Sequence, residues 1–429
     1  MRSDPVTQRT ATPATSRAAR MATLQVVLAG AVFVALAWWL VPWRPVPGGL
    51  GQLVLPDEVF TSDELARAES YSQAARAWSW TSLALSLALA AVLGFTGLGA
   101  RLVDRLRGPW WLRSAVAAAG FVLATTLLSL GFRIGLWQLR RSYGLSTQEV
   151  GGFLRDVGVG LAMDLLISCL AVVVTVGLAR RLVRAWPAVL GALAAVTVVV
   201  VSFVYPVVVE PISNDFEPLP PGELRDRITE VAAAEGVRIE DVVVADASRR
   251  TTTLNAWVSG FGATRRVVLY DNLVEETSSD ELMVIVAHEL AHAREQDVVV
   301  GTTLGAVGAF VAVGLVALVV TRARGAGALA HPRTVPLLLA VVAVASQLAA
   351  PVQNGISRQV EMRADLEALC VGEDPGAFVA VQTELARRSL SDPTPPAWSQ
   401  WWWGSHPRVL ERVTLAREWE QRGGRQWCD

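Results

Sequence analysis

Seven long apolar stretches constrain the fold of this chain more than any other feature. They run over about Thr23–Val41, Trp80–Leu98, Ser114–Leu136, Gly158–Ala179, Pro187–Val209, Val298–Val320 and Val335–Val352. A helix needs about 20 apolar residues to cross the hydrocarbon core of a bilayer. No water satisfies backbone polar groups there, so a spanning segment must bond internally as a helix. Of 429 residues, 52% are hydrophobic and 18% charged, too apolar for a soluble protein of this length. The first stretch is long and six more follow it, so it reads as a retained helix rather than a cleaved signal. Tryptophans at the ends of the stretches (Trp38, Trp39, Trp78, Trp110, Trp111, Trp137) suit the two membrane–water interfaces. The expected fold class is mostly α: a polytopic seven-transmembrane-helix bundle, barrel-like, with a small α+β region at one membrane face.

The polar segments divide the rest. Residues 1–22 are Thr-, Ala- and Arg-rich and are expected to form a disordered tail. Residues 23–209 carry five spans, 210–297 form the long polar region, 298–352 carry two more spans, and 353–429 form a second polar segment. Within 210–297, Pro211 and Pro218 to Pro221 predict a loop. Glu223–Glu235 has helical periodicity, and Val242–Ala245 suits a strand. Asn255–Ser259 and Arg266–Tyr270 read as a hairpin turned by Gly260 and Gly262. Ser279–Gln296 is an amphipathic helix that runs almost directly into the sixth span. Residues 391–407 read as a loop and Arg408–Arg422 as a helix.

Two of the four histidines stand on the Ser279–Gln296 helix as His288-Glu289-Leu290-Ala291-His292. Residues four apart share a helix face, so both imidazoles can reach one metal ion. Glu289 lies beside them as a general base, the arrangement of a zinc site that cuts peptide bonds. A chance pair of surface histidines is the bland alternative. A catalytic zinc takes three protein ligands and keeps a position open, so a third is expected downstream. Glu361, in the run from Asn354 to Asp365, is the strongest candidate. The sixth and seventh spans form a hairpin that returns it to the face of His292. Asp365, four residues on, shares the helix face of Glu361 and suits a partner that orients a ligand. A donor for the developing oxyanion is also needed. His331 lies in an inter-span loop on the opposite face, whereas His406 lies on the site's own face and is preferred.

These residues resemble the M48 peptidases, and specifically the seven-span CAAX prenyl protease group. The resemblance runs over most of the chain. It is carried by Asn255-Ala256-Trp257 and the glycine turn before the motif, by Ser357-Arg358, Glu361 and Asp365 downstream, and by His406-Pro407 with Arg412. Upstream, Tyr205-Pro206, Asn214 to Leu219, and Asp246 to Arg250 match as well. The resemblance implies one Zn2+ held by His288, His292 and Glu361, with Glu289 as base and His406 steadying the oxyanion. Asp365, with Asn354 and Arg412, is expected to support the ligands from behind. Asn255 and Ala256 would hold a substrate as an added strand. In that family seven helices enclose a water-filled chamber around the metal. The partners implied are peptide or protein substrates, including C-terminal or membrane-proximal segments, and membrane lipid. A net charge of −1 gives no reason to expect nucleic acid. A lysine-free, Ala- and Val-rich composition suits a high-GC bacterial branch, where the eponymous prenylated substrate is not expected. Asp297 stands where the eukaryotic branch often has histidine.

Three features bear on setting. Cys169, Cys370 and Cys428 are odd in number and widely spaced, so no disulfide framework is expected. Arginines in the short segments number fourteen on the N-terminal side: Arg2, Arg9, Arg17, Arg20, Arg101, Arg105, Arg107, Arg113, Arg180, Arg181, Arg184, Arg322, Arg324 and Arg333. The other side has six: Arg44, Arg67, Arg76, Arg140, Arg141 and Arg155. Positive charge favours the cytoplasm, which puts the motif face outside, although eukaryotic members of the group face the cytosol. Other readings are a membrane-protein quality-control protease, a non-catalytic zinc-binding scaffold, and a site-2-type intramembrane protease. Glu289 beside spaced histidines counts against the scaffold. The last would want an intramembrane Asp ligand.

Overall fold

The computed structural model describes residues 13–325 and 327–428. Seven of its helices are long and apolar enough to cross a membrane. They are α1 (Pro13–Leu40), α2 (Ser62–Phe95), α4 (Trp110–Ser142), α5 (Val150–Arg181), α6 (Trp186–Val204), α11 (Asp297–Arg324) and α12 (Val335–Gly372), with a short α3 (Leu98–Asp104) between the second and third. Their outer faces carry Leu28, Val34, Leu127, Leu166 and Leu348, each 63–68% exposed. Apolar side chains exposed on every span are what a lipid-facing surface requires. Small residues let the spans approach: a Cβ on Gly94 of α2 would lie 2.4 Å from the Ala340 methyl of α12.

The spans are longer than hydropathy alone predicts. α2 begins at Ser62, where Thr61 caps it in a reciprocal box with Glu64. Its first four turns therefore stand in polar surroundings before the apolar part begins. Of the expected tail, residues 1–12 lie outside the described residues, and 13–22 belong to α1. The break expected at Pro211 is also displaced. After α6 the backbone takes one π-helical turn, Tyr205–Val209, and then a short α7, Glu210–Ser213. The extra residue of a π turn accommodates Pro206, which has no N–H to give.

The polar region folds onto a four-stranded sheet of order β1-β2-β4-β3, with β1 (Phe216–Pro218), β2 (Asp241–Ala245), β3 (Ala256–Ser259) and β4 (Arg266–Tyr270). The expected hairpin is β3–β4, antiparallel with Ala256 opposite Leu269. Gly260 turns it at φ +86°, where a Cβ would strike the Thr264 carbonyl at 2.2 Å. Strand β1 falls where a loop is predicted. Its Phe216 and Glu217 pair antiparallel with β2, and Pro218 tolerates the edge position. Two helices flank the sheet, α8 (Glu223–Ala234) and the short α9 (Asp271–Glu276). Next comes α10 (Ser279–Arg294), capped by Ser278 in a box with Glu281.

Helix α10 lies between two apolar layers. Leu282, Val286 and Leu290 bury against Ile228, Val267 and Leu269 of α8 and β4. Val284 and Ala287 bury against Leu366 and Leu369 of α12, and against Phe378 of α13 (Pro375–Ser389). The chain ends with α14 (Ala397–Trp403), a helix within the segment expected to be a loop, and α15 (Val409–Gln421). Cys370 of α12 and Cys428 form a disulfide across 58 residues. That corrects the expectation of no disulfide: the two are remote in sequence, and only the packing of α15 onto α12 brings them together.

Candidate metal centre

The motif helix and the third-ligand helix meet because both flank the same apolar layer. α12 does not stop at the membrane boundary. It continues through Pro351 to Gly372, so Glu361 stands on the extension of the last span rather than on a separate helix. His288, His292 and Glu361 each offer a ligand atom within 4.8 Å of the others. The two Nε2 atoms are 3.1 Å apart. The Glu361 carboxylate lies 3.5 Å from His288 Nε2 and 3.7 Å from His292 Nε2.

Each imidazole is held from behind. His288 Nδ1 is 3.1 Å from Asp365 Oδ1, whose side chain is fully buried. His292 Nδ1 is 2.8 Å from Asp297 Oδ2. At His292 the hydrogen bond between Nδ1 and Asp297 directs Nε2 to the front, and at His288 the Asp365 carboxylate stands within ion-pair range of Nδ1. Two imidazole nitrogens 3.1 Å apart beside a carboxylate make a place that suits a cation. Burial works to lower the His288 pKa, but the Asp365 and Glu361 carboxylates outweigh it and hold it up at about 10. A tetrahedral zinc with bonds of about 2.1 Å needs ligand atoms about 3.4 Å apart, and the three separations bracket that value. The donor set, two histidines and one glutamate, is that of a catalytic zinc. The residues fit the metal.

Glu289 stands beside this cluster. Burial pushes its carboxyl above the usual carboxylate range, opposed by the two histidines, and the Val258 N–H of β3 hydrogen-bonds to it. Strand β3 is an edge of the sheet. Its Asn255 carbonyl accepts from the Tyr270 N–H at 3.1 Å, so Asn255 faces β4. Backbone direction alternates along a strand. Ala256 and Val258 therefore turn their N–H and C=O groups outward, toward α10. A cavity of about 370 Å³ lies there, lined by Val258, Phe261, Glu289, His292, Val299 and Glu361.

Of the other expected residues, Arg412 reaches Glu361 Oε2 at 3.1 Å and Asp365 Oδ2 at 3.1 Å. His406 Nε2 lies 3.4 Å from Glu361 Oε2, with its side chain 62% exposed, while Ser405 Oγ is 2.9 Å from its Nδ1. His331 lies in the loop before α12, at the opposite end of the bundle. Asn354 is not at the ligands: its Nδ2 donates to the Trp402 carbonyl at 2.6 Å, tying α12 to α14 below His406.

Two residues were not singled out for these roles. Asp297 opens α11 immediately after Gln296, which turns the chain at φ +57°. Its other oxygen accepts from Arg363 of α12 at 2.5 Å. The motif spacing could not show this, because it depends on the turn between two helices. Glu210, at the end of the π turn, accepts from Ser259 Oγ at 2.7 Å and Trp257 Nε1 at 3.3 Å, and pairs with Arg266 at 3.4 Å. It clamps the hairpin to the fifth span.

Comparison with known proteins agrees with this geometry. Residues 218–420 match peptidase family M48, and residues 54–215 match the CAAX prenyl protease N-terminal region of five membrane helices. The uncharacterized metalloprotease YhfN of Bacillus subtilis is 28% identical over 390 residues, covering 87% of this chain and 90% of that protein. A CAAX prenyl protease 1 homolog of Oryza sativa is 27% identical, covering 72% of this chain and 74% of the relative. The crystal structure of S. mikatae Ste24p superposes with a TM-score of 0.74 at 18% identity, covering 94% of this chain and 99% of that one, a likeness of fold. With two adjoining matches over most of its length and a metal-ligand set where that family's motif stands, the chain belongs to peptidase family M48, in its CAAX prenyl protease type, and is a multi-pass membrane metallopeptidase.

Proposed function

We propose that the protein is a zinc-dependent endopeptidase that hydrolyses peptide or protein segments reaching a metal site within the space enclosed by its seven helices. The observation that carries this is the convergence of the His288 and His292 Nε2 atoms and the Glu361 carboxylate on one point beside Glu289. His288, His292 and Glu361 would hold the zinc. When bound, it supplies Lewis acidity and lowers the pKa of a water toward neutrality.

This chain's own residues do the rest. Glu289 takes the proton of the attacking water and delivers it to the leaving amine. The Val258 N–H holds that carboxylate in place. The outward N–H and C=O of Ala256 pair with an extended substrate, whose scissile bond is thereby laid along α10. Asn255, exposed at the start of β3 with its backbone spent on β4, offers the same substrate its side chain. His406, exposed beside Glu361, donates to the carbonyl oxygen as charge develops. Arg412 and Asp365 keep Glu361 and His288 from turning away.

Glu289→Gln keeps the shape of the site and removes the base. Cleavage of a model peptide should fall by a factor of about 10² to 10⁴, while bound zinc, measured by elemental analysis, stays near one per chain. Full activity in that variant sinks the proposal.

A further inference from the structure

The inference that goes furthest concerns which side of the membrane the metal site faces, and so what it meets. It rests on the peptidase reading above and extends it to a substrate class.

The structure separates the connecting segments into two groups. At one end, the α2–α4 connection, the 182–185 turn and the 327–334 segment pack together. Arg113 and Arg333 both approach Asp104, at 3.7 and 3.8 Å, and Arg180 donates to the Ala330 carbonyl at 2.8 Å. At the other end, the α1–α2 and α4–α5 connections pack onto the sheet region and the C-terminal helices. Gly51 N–H donates to Glu418 at 2.7 Å, Arg417 pairs with Glu58 at 2.6 Å, and Thr147 donates to the Ser248 carbonyl at 2.8 Å. Alternation therefore holds through all seven spans. The first span is not a loose leader: Gln25 of α1 donates to the Phe310 carbonyl of α11 at 2.7 Å. A miscounted span, which would reverse any argument from charge, is removed.

Two observations of different kinds then point the same way. Among the described residues, short segments at the end remote from the metal site hold twelve arginines, against six in those at the site's end. Arginine-rich short loops stay in the cytoplasm, whereas long folded segments translocate largely regardless of their charge. The second observation is the Cys370–Cys428 disulfide. It lies at the site's end, where it joins the C-terminal segment to α12 beyond Glu361. Disulfides persist in oxidising compartments and are rare where the cytosol keeps thiols reduced. The remaining cysteine, Cys169, lies within a span and is free. Charge governs insertion and the disulfide reports the redox setting, so neither observation entails the other.

We infer that the metal site opens on the extracytoplasmic side of the membrane, and that its substrates are polypeptide segments exposed there: exported chains, or the outer segments of membrane-anchored ones. Cytosolic chains do not reach it.

The test uses the full chain in its own membranes. Right-side-out and inverted vesicles receive a membrane-impermeant fluorogenic peptide with zinc present. Right-side-out vesicles should cleave it at the rate seen after detergent, and inverted vesicles at less than a tenth of that rate until detergent is added. The reverse pattern overturns the inference. No cleavage in either preparation, even in detergent, overturns the peptidase reading instead. Sidedness then rests on a second measurement, in a Cys169→Ser chain treated in intact cells with an impermeant reductant and an impermeant maleimide. Modification of Cys370 and Cys428 before lysis supports the inference. Modification only after lysis overturns it.

Discussion

His288 and His292 are the residues the motif names, but Asp365 and Asp297 decide what they can do. Asp297 hydrogen-bonds to His292 Nδ1 and Asp365 stands 3.1 Å behind His288 Nδ1, and both Nε2 atoms turn to the shared point. Asp297 is itself held by Arg363, which stands two residues from Glu361 on the same helix. The chain thus ties His292 of α10 to the helix that carries Glu361. Asp297→Asn should weaken zinc binding by about 10- to 100-fold, read by competition with a chelator, and Arg363→Ala should weaken it in the same direction. An unchanged affinity in both would remove Asp297 from the site. Glu210 acts at a distance. In Glu210→Ala, Ser259, Trp257 and Arg266 lose their shared acceptor, at a cost of roughly 1–3 kcal/mol. Thermal unfolding should register that loss, and KM should rise more than kcat falls, because the displaced element is the strand proposed to receive the substrate. The His-Glu-x-x-His spacing and Glu361 were readable from residue order, since a helix face is a local property. Asp297 and Glu210 were not. Their roles depend on a left-handed residue at Gln296 and a π turn at Tyr205–Val209.

At the scale of elements, alternation makes β3 a platform. One set of its backbone groups is spent on β4, and the other, at Ala256 and Val258, is turned toward α10. Ala256→Pro removes an outward N–H without breaking the β3–β4 ladder, and proline is tolerated on an edge strand. Cleavage of an extended peptide should lose at least about tenfold in kcat/KM, the worth of one hydrogen bond, while zinc content stays unchanged. An unaltered kcat/KM would rule out pairing at this edge. The hairpin itself was legible, because β-branched and aromatic runs around Gly260 leave little else to form. Strand β1 was not: three residues ending in a proline carry no periodicity, and only pairing with β2 makes them a strand. Nor was α14 within the Pro- and Trp-rich stretch. There Trp398 and Trp403 pack on Trp80 of α2, with ring centroids 4.6 and 5.5 Å away, and tertiary contact replaces local propensity.

Across the whole molecule, the C-terminal segment closes the site. α15 supplies Arg412 to Glu361 and Asp365, and the disulfide ties the chain end back to α12. Closing a loop of 58 residues restricts the unfolded chain, and is worth on the order of 2–4 kcal/mol. Cys428→Ser should therefore lower the midpoint of thermal unfolding while the zinc stoichiometry of the folded protein is kept. An unchanged midpoint would show that the bond bears no load. Residue order by itself determined the seven spans, because the bilayer demands long, internally bonded apolar helices whatever surrounds them. It determined the histidine pair as well, because four residues make about one helical turn. Tertiary structure alone decided the rest: which carboxylates stand behind the histidines, which strand edge faces them, and which cysteines meet. Those are contacts between residues tens to hundreds of positions apart. They are set by how α10 packs between the sheet and α12, and no local pattern records that packing.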